Sequence, residues 1–452
     1  MSYEEIMVIA MFSTFIMLLL TGYPVAWVLA GTAVVFATIG HIMVDSFNVN
    51  LWFAWSSSMQ LMPERLWGII NKETLVALPM FILMGIVLNS SGVAEKLMDN
   101  TVKLFGSVRG GYAITVILIG VLLAASTGIV GASVVLLGML SIPVMLKNNY
   151  SKTLAVGTTC SVGTLGILIP PSIMLVLMAD QIASPNASIG DLFMGAFLPG
   201  FLLASLYIAY VIIYAWLKPD VAPAAKDGQV SMQTIFNILL AIIPTALLII
   251  AVLGSIFFGI ATPTEASGVG VMGALLLAFI NKRLNLTTIR ESLYQTSKTT
   301  AFIFAIFVGA TAFSVVLRGL GGDEVIEQTL MGFDFSPFTI LLFILFITFL
   351  LGFFLDWVEI ALIILPLVSP IVENLGFNLT WFAILFAMCL QTSFITPPVG
   401  FALFYMKGVC PDEVTIKDIY IGVIPFIILQ IFAILIVLYW PPIVTWLPSI
   451  AY

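Results

Sequence analysis

The sequence predicts an all-α membrane protein that crosses the bilayer many times and contains an inverted repeat. Of the 452 residues, 61% are hydrophobic and 9% are charged, whereas about a quarter of the residues of a soluble domain carry charge. Prolines with one spacing occur twice: Pro143 precedes Pro170–Pro171 by 27 residues, and Pro370 precedes Pro397–Pro398 by the same distance. A single offset of 227 residues superimposes the two sets, which indicates a repeat.

Both proline pairs lie within apolar segments that are long enough for a membrane helix. Proline lacks a backbone N–H and clashes with the preceding turn, so each pair should interrupt its helix. Lipid hydrocarbon cannot satisfy the freed carbonyl groups, whereas a Na⁺ ion is a suitable partner. Interrupted helices at matching positions in two halves of a membrane protein point to the substrate and ion site of a transporter. A kinked structural helix is the alternative interpretation.

The first part of the chain is predicted to contain ordinary spans and surface helices. Apolar segments at 6–20 and 24–40 form a pair, the first of them short for a span, which needs about 17–25 residues. Residues 41–73 contain several tryptophans and are interpreted as interfacial helix. Residues 74–90 form a further span, and the mixed charged and apolar segment 93–111 predicts a helix on the membrane surface.

Each repeat is predicted to consist of a re-entrant hairpin followed by an interrupted span. Residues 112–146 are too long for one span and form the first hairpin, and residues 153–182 form the first interrupted span. The second hairpin is 337–373, and the second interrupted span is 380–408.

Four ordinary spans separate the repeats, at 192–217, 233–258, 263–281 and 299–318, and residues 421–446 form the last span. From the first interrupted span to the second hairpin there are five crossings. Because this number is odd, the two repeats enter the membrane from opposite sides, as in many alternating-access transporters.

The basic residues support this topology. It places 13 of the 16 Lys and Arg residues on one side of the membrane and only Arg65, Lys72 and Arg318 on the other. Cytoplasmic loops carry an excess of Lys and Arg, so the basic side is predicted to be cytoplasmic.

The first repeat offers small and hydroxyl-bearing residues as candidate substrate or ion ligands. Such residues either supply oxygen atoms or allow helices to pack closely, and the pattern leaves both interpretations open. The candidates in the hairpin, whose tip is predicted at Ser126-Thr127-Gly128, are Ser126, Thr127, Gly128, Gly131 and Ser133, and those in the interrupted span are Thr164, Pro170, Pro171 and Ser172.

The negatively charged candidates lie in the second repeat. Asp356 and Glu359 lie at or just past the predicted hairpin tip, within an apolar stretch, and a carboxylate at membrane depth indicates function. The alternative is that both acids lie at the outer surface, and Glu359 in particular is expected to face the outer water. The second interrupted span adds Gln391, Thr392, Ser393, Thr396, Pro397 and Pro398. We predict Na⁺ near Asp356, Ser126 and Thr396.

Other functional classes lack their motifs. The chain contains no phosphate-binding loop, so ATP is not expected to be the direct energy source, and no cofactor besides a coupling ion is predicted. The three cysteines show no metal-ligand spacing. An intramembrane enzyme that uses Asp356 and Glu359 is disfavoured, because the first repeat has no acid at matching depth.

The motifs resemble the large membrane subunit of tripartite ATP-independent periplasmic (TRAP) transporters. The resemblance covers nearly the whole chain and is most specific at residues 78–85, 125–133, 163–172, 263–266 and 390–404. It implies a permease, not an enzyme, in the bacterial inner membrane, which imports an organic acid, often a carboxylate, by Na⁺ symport. It also implies two partners: an extracytoplasmic substrate-binding protein and a separate small membrane subunit of about four helices.

The resemblance further implies an elevator mechanism, in which the hairpins and interrupted helices move against a fixed scaffold. The corresponding division is an N-terminal scaffold at 1–111, a first transport unit at 112–182, central spans at 183–336, a second transport unit at 337–408 and a C-terminal span at 409–452. A carrier of the same architecture that needs no binding protein is the main alternative, and a channel is another.

Overall fold

The computed structural model describes residues 2–47, 55–105, 108–127, 130–182, 184, 187–224, 232–332 and 335–451, and the regular structure in these residues is helical. The α-helices are α1 (Tyr3–Leu19), α2 (Val25–Phe47), α3 (Trp55–Ile70), α4 (Ala77–Ser90), α5 (Val93–Phe105), α6 (Gly111–Thr127), α7 (Val130–Lys147), α8 (Lys152–Gly163), α9 (Ile173–Ile182), α10 (Ile189–Leu217), α11 (Met232–Phe257), α12 (Pro263–Ile280), α13 (Leu286–Gly319), α14 (Gly322–Met331), α15 (Pro337–Leu351), α16 (Trp357–Ile363), α17 (Leu365–Asn374), α18 (Leu379–Ile395), α19 (Phe401–Val409), α20 (Ile416–Tyr439) and α21 (Pro442–Ala451). Short 3₁₀ helices occupy Glu73–Val76, Thr164–Ile167 and Pro219–Val221.

Within the described ranges, seven helical segments are long and apolar enough to cross a membrane unaided. They comprise α2, the 3₁₀ turn with α4, α7, α10, α12, α13 and α20. The bent pair α16–α17 passes the same criterion when its two helices are taken together. The predicted all-α, multi-pass class is therefore confirmed.

Both repeats have the predicted sequence of elements. In the first, α6 and α7 pack side by side and are followed by α8, the Thr164–Ile167 turn and α9. In the second, α15 is followed by α16 and α17, which meet at a bend of 53°, and then by α18 and α19. Each proline pair lies in the non-helical break of its span, and both Pro-Pro peptide bonds are cis.

Contacts between distant loops agree with the predicted two sides of the membrane. Arg283 pairs with Glu95 at 3.0 Å, which joins two segments predicted on the cytoplasmic side. Lys72 pairs with Asp180 at 2.8 Å, which joins two segments predicted on the outer side.

The predicted interfacial segment 41–73 was wrong at its beginning. No glycine or proline follows position 40 until well past residue 47, so nothing ends the helix there and α2 continues to Phe47. The separate helix α3 begins at Trp55.

Two spans also have different bounds from those predicted. α13 begins at Leu286 instead of 299, because Asn285 caps it by accepting a hydrogen bond from the Thr288 N–H at 2.7 Å. The last span ends at Tyr439 instead of 446, because the residue before Pro441 is disfavoured in a helical conformation. The criterion of apolar length therefore missed the polar first turns of α13 and carried the last span past Pro441.

The interrupted span of the first repeat packs closely against α20 through two glycines. A Cβ on Gly157 would overlap the carbonyl oxygen of Gly422, and a Cβ on Gly422 would overlap the carbonyl oxygen of Thr153. Only glycine allows two helix backbones to approach so closely. The last span is thereby fixed against α8.

Gly157→Ala is expected to destabilise the protein, because the added methyl group meets a backbone carbonyl that cannot rotate away. Overpacking of this kind costs about 1–3 kcal/mol. Thermal unfolding of the purified protein in nanodiscs measures the loss. Gly268→Ala in α12 is the matched control, since its Cβ would have no neighbour within 4 Å and the melting temperature should be unchanged. Equal melting temperatures for the two variants would contradict the proposed packing.

Candidate functional site

The interrupted helices lie at the centre of the protein. Every residue of α18 is buried, and α8 is buried from Leu154 to Gly163. Non-helical backbone at membrane depth is tolerated only where protein or a water-filled cavity surrounds it. The residues of the first break, 164–172, are buried as well, whereas in the second break Pro397 is half-buried and Pro398 is exposed.

The tip of the second hairpin contacts the second interrupted span. Gly352 follows α15 directly and has no room for a side chain, because a Cβ there would overlap the Ser393 hydroxyl. Ser393 lies on α18 within the last turn before the break, and its hydroxyl donates to the Leu390 carbonyl at 2.7 Å. This contact brings the hairpin tip to the beginning of the break.

Tyr405 connects the two repeats. It lies on α19, beyond the second proline pair, and a Cβ on Gly131 of the first hairpin would lie 2.9 Å from its Cζ atom. Its hydroxyl is also within electrostatic range of Asp356 and Glu359. Of the predicted candidates, Gly131 therefore packs against this side chain, and Asp356 and Glu359 lie close enough to influence it electrostatically. Sequence reasoning missed Tyr405, although it lies one residue beyond the motif at 390–404.

The two acids occupy the first turn of α16. Asp356 is partly buried and caps the helix, with Oδ1 accepting a hydrogen bond from the Trp357 N–H at 2.8 Å. Glu359 is only 3% exposed, and its Oε2 atom has no hydrogen-bond partner among the described residues. The positive end of the helix dipole favours both charges.

The expectation that Glu359 faces the outer water was wrong. One turn after the tip, α16 packs against α9 and α13, and this packing buries the side chain. The sequence contains no Lys or Arg between Arg318 and Lys407, so this segment offers the acids no basic partner. An ionised carboxylate buried in this way needs a cation or a set of donors.

Several other buried polar groups in the interrupted helices also lack partners. Neither amide atom of Gln391 on α18 forms a hydrogen bond among the described residues, and neither does the hydroxyl of Thr158 or of Ser161 on α8. A buried group left in this state costs about 1–3 kcal/mol, which a bound ion, water or substrate would relieve. Gln391 was predicted, whereas Thr158 and Ser161 were missed. Thr158, Ser161 and Thr164 follow one another at intervals of three residues, a spacing that places neighbouring members on the same side of a helix and could have indicated a polar face.

The remaining predicted hydroxyls are held by local hydrogen bonds. Thr392 and Thr396 donate to backbone carbonyls on α18 at 2.8 and 2.7 Å, Thr164 donates to the Ser161 carbonyl at 2.8 Å, and Ser172 donates to the Ile167 carbonyl at 2.7 Å. A hydroxyl that donates keeps its lone pairs, so these oxygens can still coordinate a cation. Ser133 is buried on α7.

Part of the predicted site cannot be placed. Gly128 lies outside the described residues, as do the side chains of Ser126 and Thr127. No group of three or more His, Cys, Asp or Glu residues with metal-binding geometry occurs in the part of the chain that is described. The available donors are therefore carboxylate, amide, hydroxyl and carbonyl oxygens, a set that fits a hard cation such as Na⁺.

Comparison with known proteins decides the family. The family model described as "Tripartite ATP-independent periplasmic transporter, DctM component" matches residues 12–443. The chain belongs to the DctM family. It is accordingly a transporter permease, not an enzyme, and a multi-pass protein of the bacterial inner membrane. The resemblance predicted from the sequence motifs is confirmed.

Relatives within the DctM family match over most of their length. The C4-dicarboxylate TRAP transporter large permease protein DctM of Pseudomonas aeruginosa is 31% identical, over 87% of this chain and 90% of its own. The protein of that name from Vibrio cholerae is 29% identical, over 90% of this chain and 92% of its own length. The isethionate TRAP transporter permease protein DctMQ of Oleidesulfovibrio alaskensis is 29% identical, over 83% of this chain and 58% of its own.

A solved transporter structure shares the fold of this DctM-family chain. The YdaH transporter of Alcanivorax borkumensis, described as having an unusual topology, superimposes with a TM-score of 0.62. The match covers 85% of this chain and 88% of the other at 15% identity. At this identity the similarity concerns the fold alone.

Proposed function

We propose that this chain is the permease subunit of a binding-protein-dependent TRAP transporter that carries a small organic acid, most often a carboxylate, into the cell together with Na⁺. The observation that carries the proposal is the buried Glu359 carboxylate, which has an oxygen without a partner among the described residues and lies on α16, packed against α9 of the first interrupted span. A site of this kind is completed by a cation.

The proposed ion region includes Asp356, Glu359 and Thr396, with Ser126 from the first hairpin. Na⁺ neutralises the acid pair, for which the surrounding segment supplies no basic residue. The carbonyl groups freed at the two breaks supply further oxygen ligands. Tyr405 and Gln391 offer polar groups to a substrate bound at the same place.

An anionic substrate is supported by helix geometry and by the relatives. Of the helices after the breaks, α9 begins at the buried Ile173 and α19 at the half-buried Phe401, and a helix N-terminus favours negative charge. The relatives named for C4-dicarboxylates and isethionate act on organic anions. We extend this substrate class to the present chain.

The proposed partners are an extracytoplasmic binding protein and a small membrane subunit. The family description names a tripartite transporter. The DctMQ relative is much longer than its matched part, which is in keeping with a fused second subunit in that protein. For transport we propose an elevator movement of the two units at 112–182 and 337–408 against the remaining helices.

Reconstituted uptake tests the proposal. Proteoliposomes that contain the chain and its small subunit, with the binding protein outside, should accumulate a small carboxylate when a Na⁺ gradient is imposed and not when K⁺ replaces Na⁺. Uptake that is indifferent to Na⁺ would disprove the coupling. Uptake by the chain alone would favour the self-sufficient carrier, and a rate that does not saturate with substrate would favour a channel.

A further inference from the structure

The three basic residues of the predicted outer side converge on one cavity. Arg65, Lys72 and Arg318 all line a cavity of about 340 Å³, although Arg318 lies far from the other two in the sequence. The cavity is formed by α3 and the residues after it, by α13, and by α9, α16 and α17 of the two repeats. It therefore lies where the interrupted span and second hairpin meet the neighbouring helices.

The lining of this cavity carries a net positive charge. Among the described residues that line it, Asp180 is the only acid, and it pairs with Lys72 at 2.8 Å. Arg318 Nε lies 3.2 Å from Oδ2 of Asp323, which is outside the lining. Arg65 is exposed, has no hydrogen-bond acceptor among the described residues, and lies within electrostatic range of the same Asp323, so the two guanidinium groups share one carboxylate. At least one guanidinium is therefore available to a ligand.

Neutral donors accompany the cations. Thr311 and Ser314 on α13 and Gln181 at the end of α9 also line the cavity. A guanidinium binds a carboxylate through two parallel hydrogen bonds, and hydroxyl and amide groups add further donors. A volume of 340 Å³ is at the lower end of the range for small-molecule sites and suits an anion of a few carbon atoms.

We propose that this cavity, the outer anion site, binds a small organic carboxylate on the outer face before the carboxylate reaches the interrupted helices. The inference rests on the proposed function, because it assigns a first binding position to the same substrate class. The ligand contacts Arg65 and Arg318 from one side and the Leu362–Pro366 part of the second hairpin region from the other. The bound ligand therefore touches α16, the helix that carries Glu359.

The charge of the site is tested by cysteine labelling, which does not require transport. Ser314→Cys is combined with Cys410→Ala, since Cys160 and Cys389 are buried. In spheroplasts, an anionic methanethiosulfonate reagent should modify the introduced thiol at least about tenfold faster than a cationic one of equal size, because a basic cleft concentrates anions. Arg65→Gln with Arg318→Gln should abolish this preference, and Arg290→Gln on the cytoplasmic side should not. No preference in the parent protein would overturn the proposal.

The ligand class is tested by protection and by uptake. Succinate should slow the modification of the introduced thiol, whereas an equal concentration of a neutral diamide should not. Arg65→Gln should raise the carboxylate concentration for half-maximal uptake about tenfold. Arg65→Lys keeps the charge, so its half-saturating concentration should be closer to that of the parent protein. If the parent protein transports the carboxylate but the arginine variants show the same labelling and the same half-saturating concentration, the outer anion site is disproved and the proposed function is not. Absence of uptake in the parent would instead disprove the proposed function.

Discussion

Replacing both Pro397 and Pro398 with alanine is expected to abolish transport while leaving membrane insertion intact. Alanine restores two backbone N–H groups, so α18 could continue beyond Ile395 into α19 as one helix. The freed carbonyls and the internal N-terminus of α19 would then be lost. We expect uptake below about one hundredth of the parent rate, equivalent to about 2.7 kcal/mol. Reconstituted uptake at equal protein density measures the effect.

Pro244→Ala is the control for this experiment. Pro244 lies within α11, a helix outside both repeats that continues through the proline. Its replacement should leave uptake near the parent level. Parent-level uptake in the Pro397–Pro398 double variant would mean that the break is a structural kink and that the ion and substrate lie elsewhere. The equivalent change at Pro170–Pro171 should repeat the loss if both breaks take part in transport.

Removing the charge of either acid on α16 is expected to weaken Na⁺ binding strongly. Asp356→Asn and Glu359→Gln each preserve shape and one oxygen but remove one of the two negative charges that would balance a bound cation. Each should raise the Na⁺ concentration for half-maximal uptake by at least about tenfold, or about 1.4 kcal/mol. Glu359→Gln should have the larger effect, because Glu359 is the more buried acid and has an unpartnered oxygen, whereas Asp356 also serves as a helix cap.

Glu373→Gln provides the matched control for the acids. Glu373 lies near the end of α17, in the second hairpin, and is exposed to solvent. It should change neither the Na⁺ dependence nor the maximal rate. If Glu359→Gln and Asp356→Asn retain the parent Na⁺ dependence, the acids only stabilise the first turn of α16, and the ion site must be sought among the hydroxyl and carbonyl groups.

Much of the architecture could be predicted because its causes are local. Apolar length indicates a span, and proline interrupts a helix wherever it occurs in the interior, so both breaks were predicted close to where α8 and α18 end. Helix ends outside the membrane were predicted less well. The start of α13 depends on a polar cap at Asn285, which an apolar criterion cannot detect.

The candidate site was only partly predictable. Asp356, Glu359 and Gln391 were found because a charge or an amide in an apolar segment is conspicuous. Tyr405 was missed, because a tyrosine in an apolar helix is unremarkable until its neighbours are known. The burial of Glu359 also could not be predicted, since it depends on how α9 and α13 pack against α16.

The sequence by itself determined the class of protein and the two interrupted spans, and it predicted that thirteen basic residues lie on one side of the membrane and three on the other. Each follows from composition, proline chemistry or charge, which act on a residue wherever the chain places it. Only the tertiary structure decided that Tyr405 packs against Gly131 within electrostatic range of the acids of α16, and that Arg65, Lys72 and Arg318 line one cavity. The physical reason is that these groups come from separate helices, and their distances are set by close packing such as that of Gly157 on Gly422.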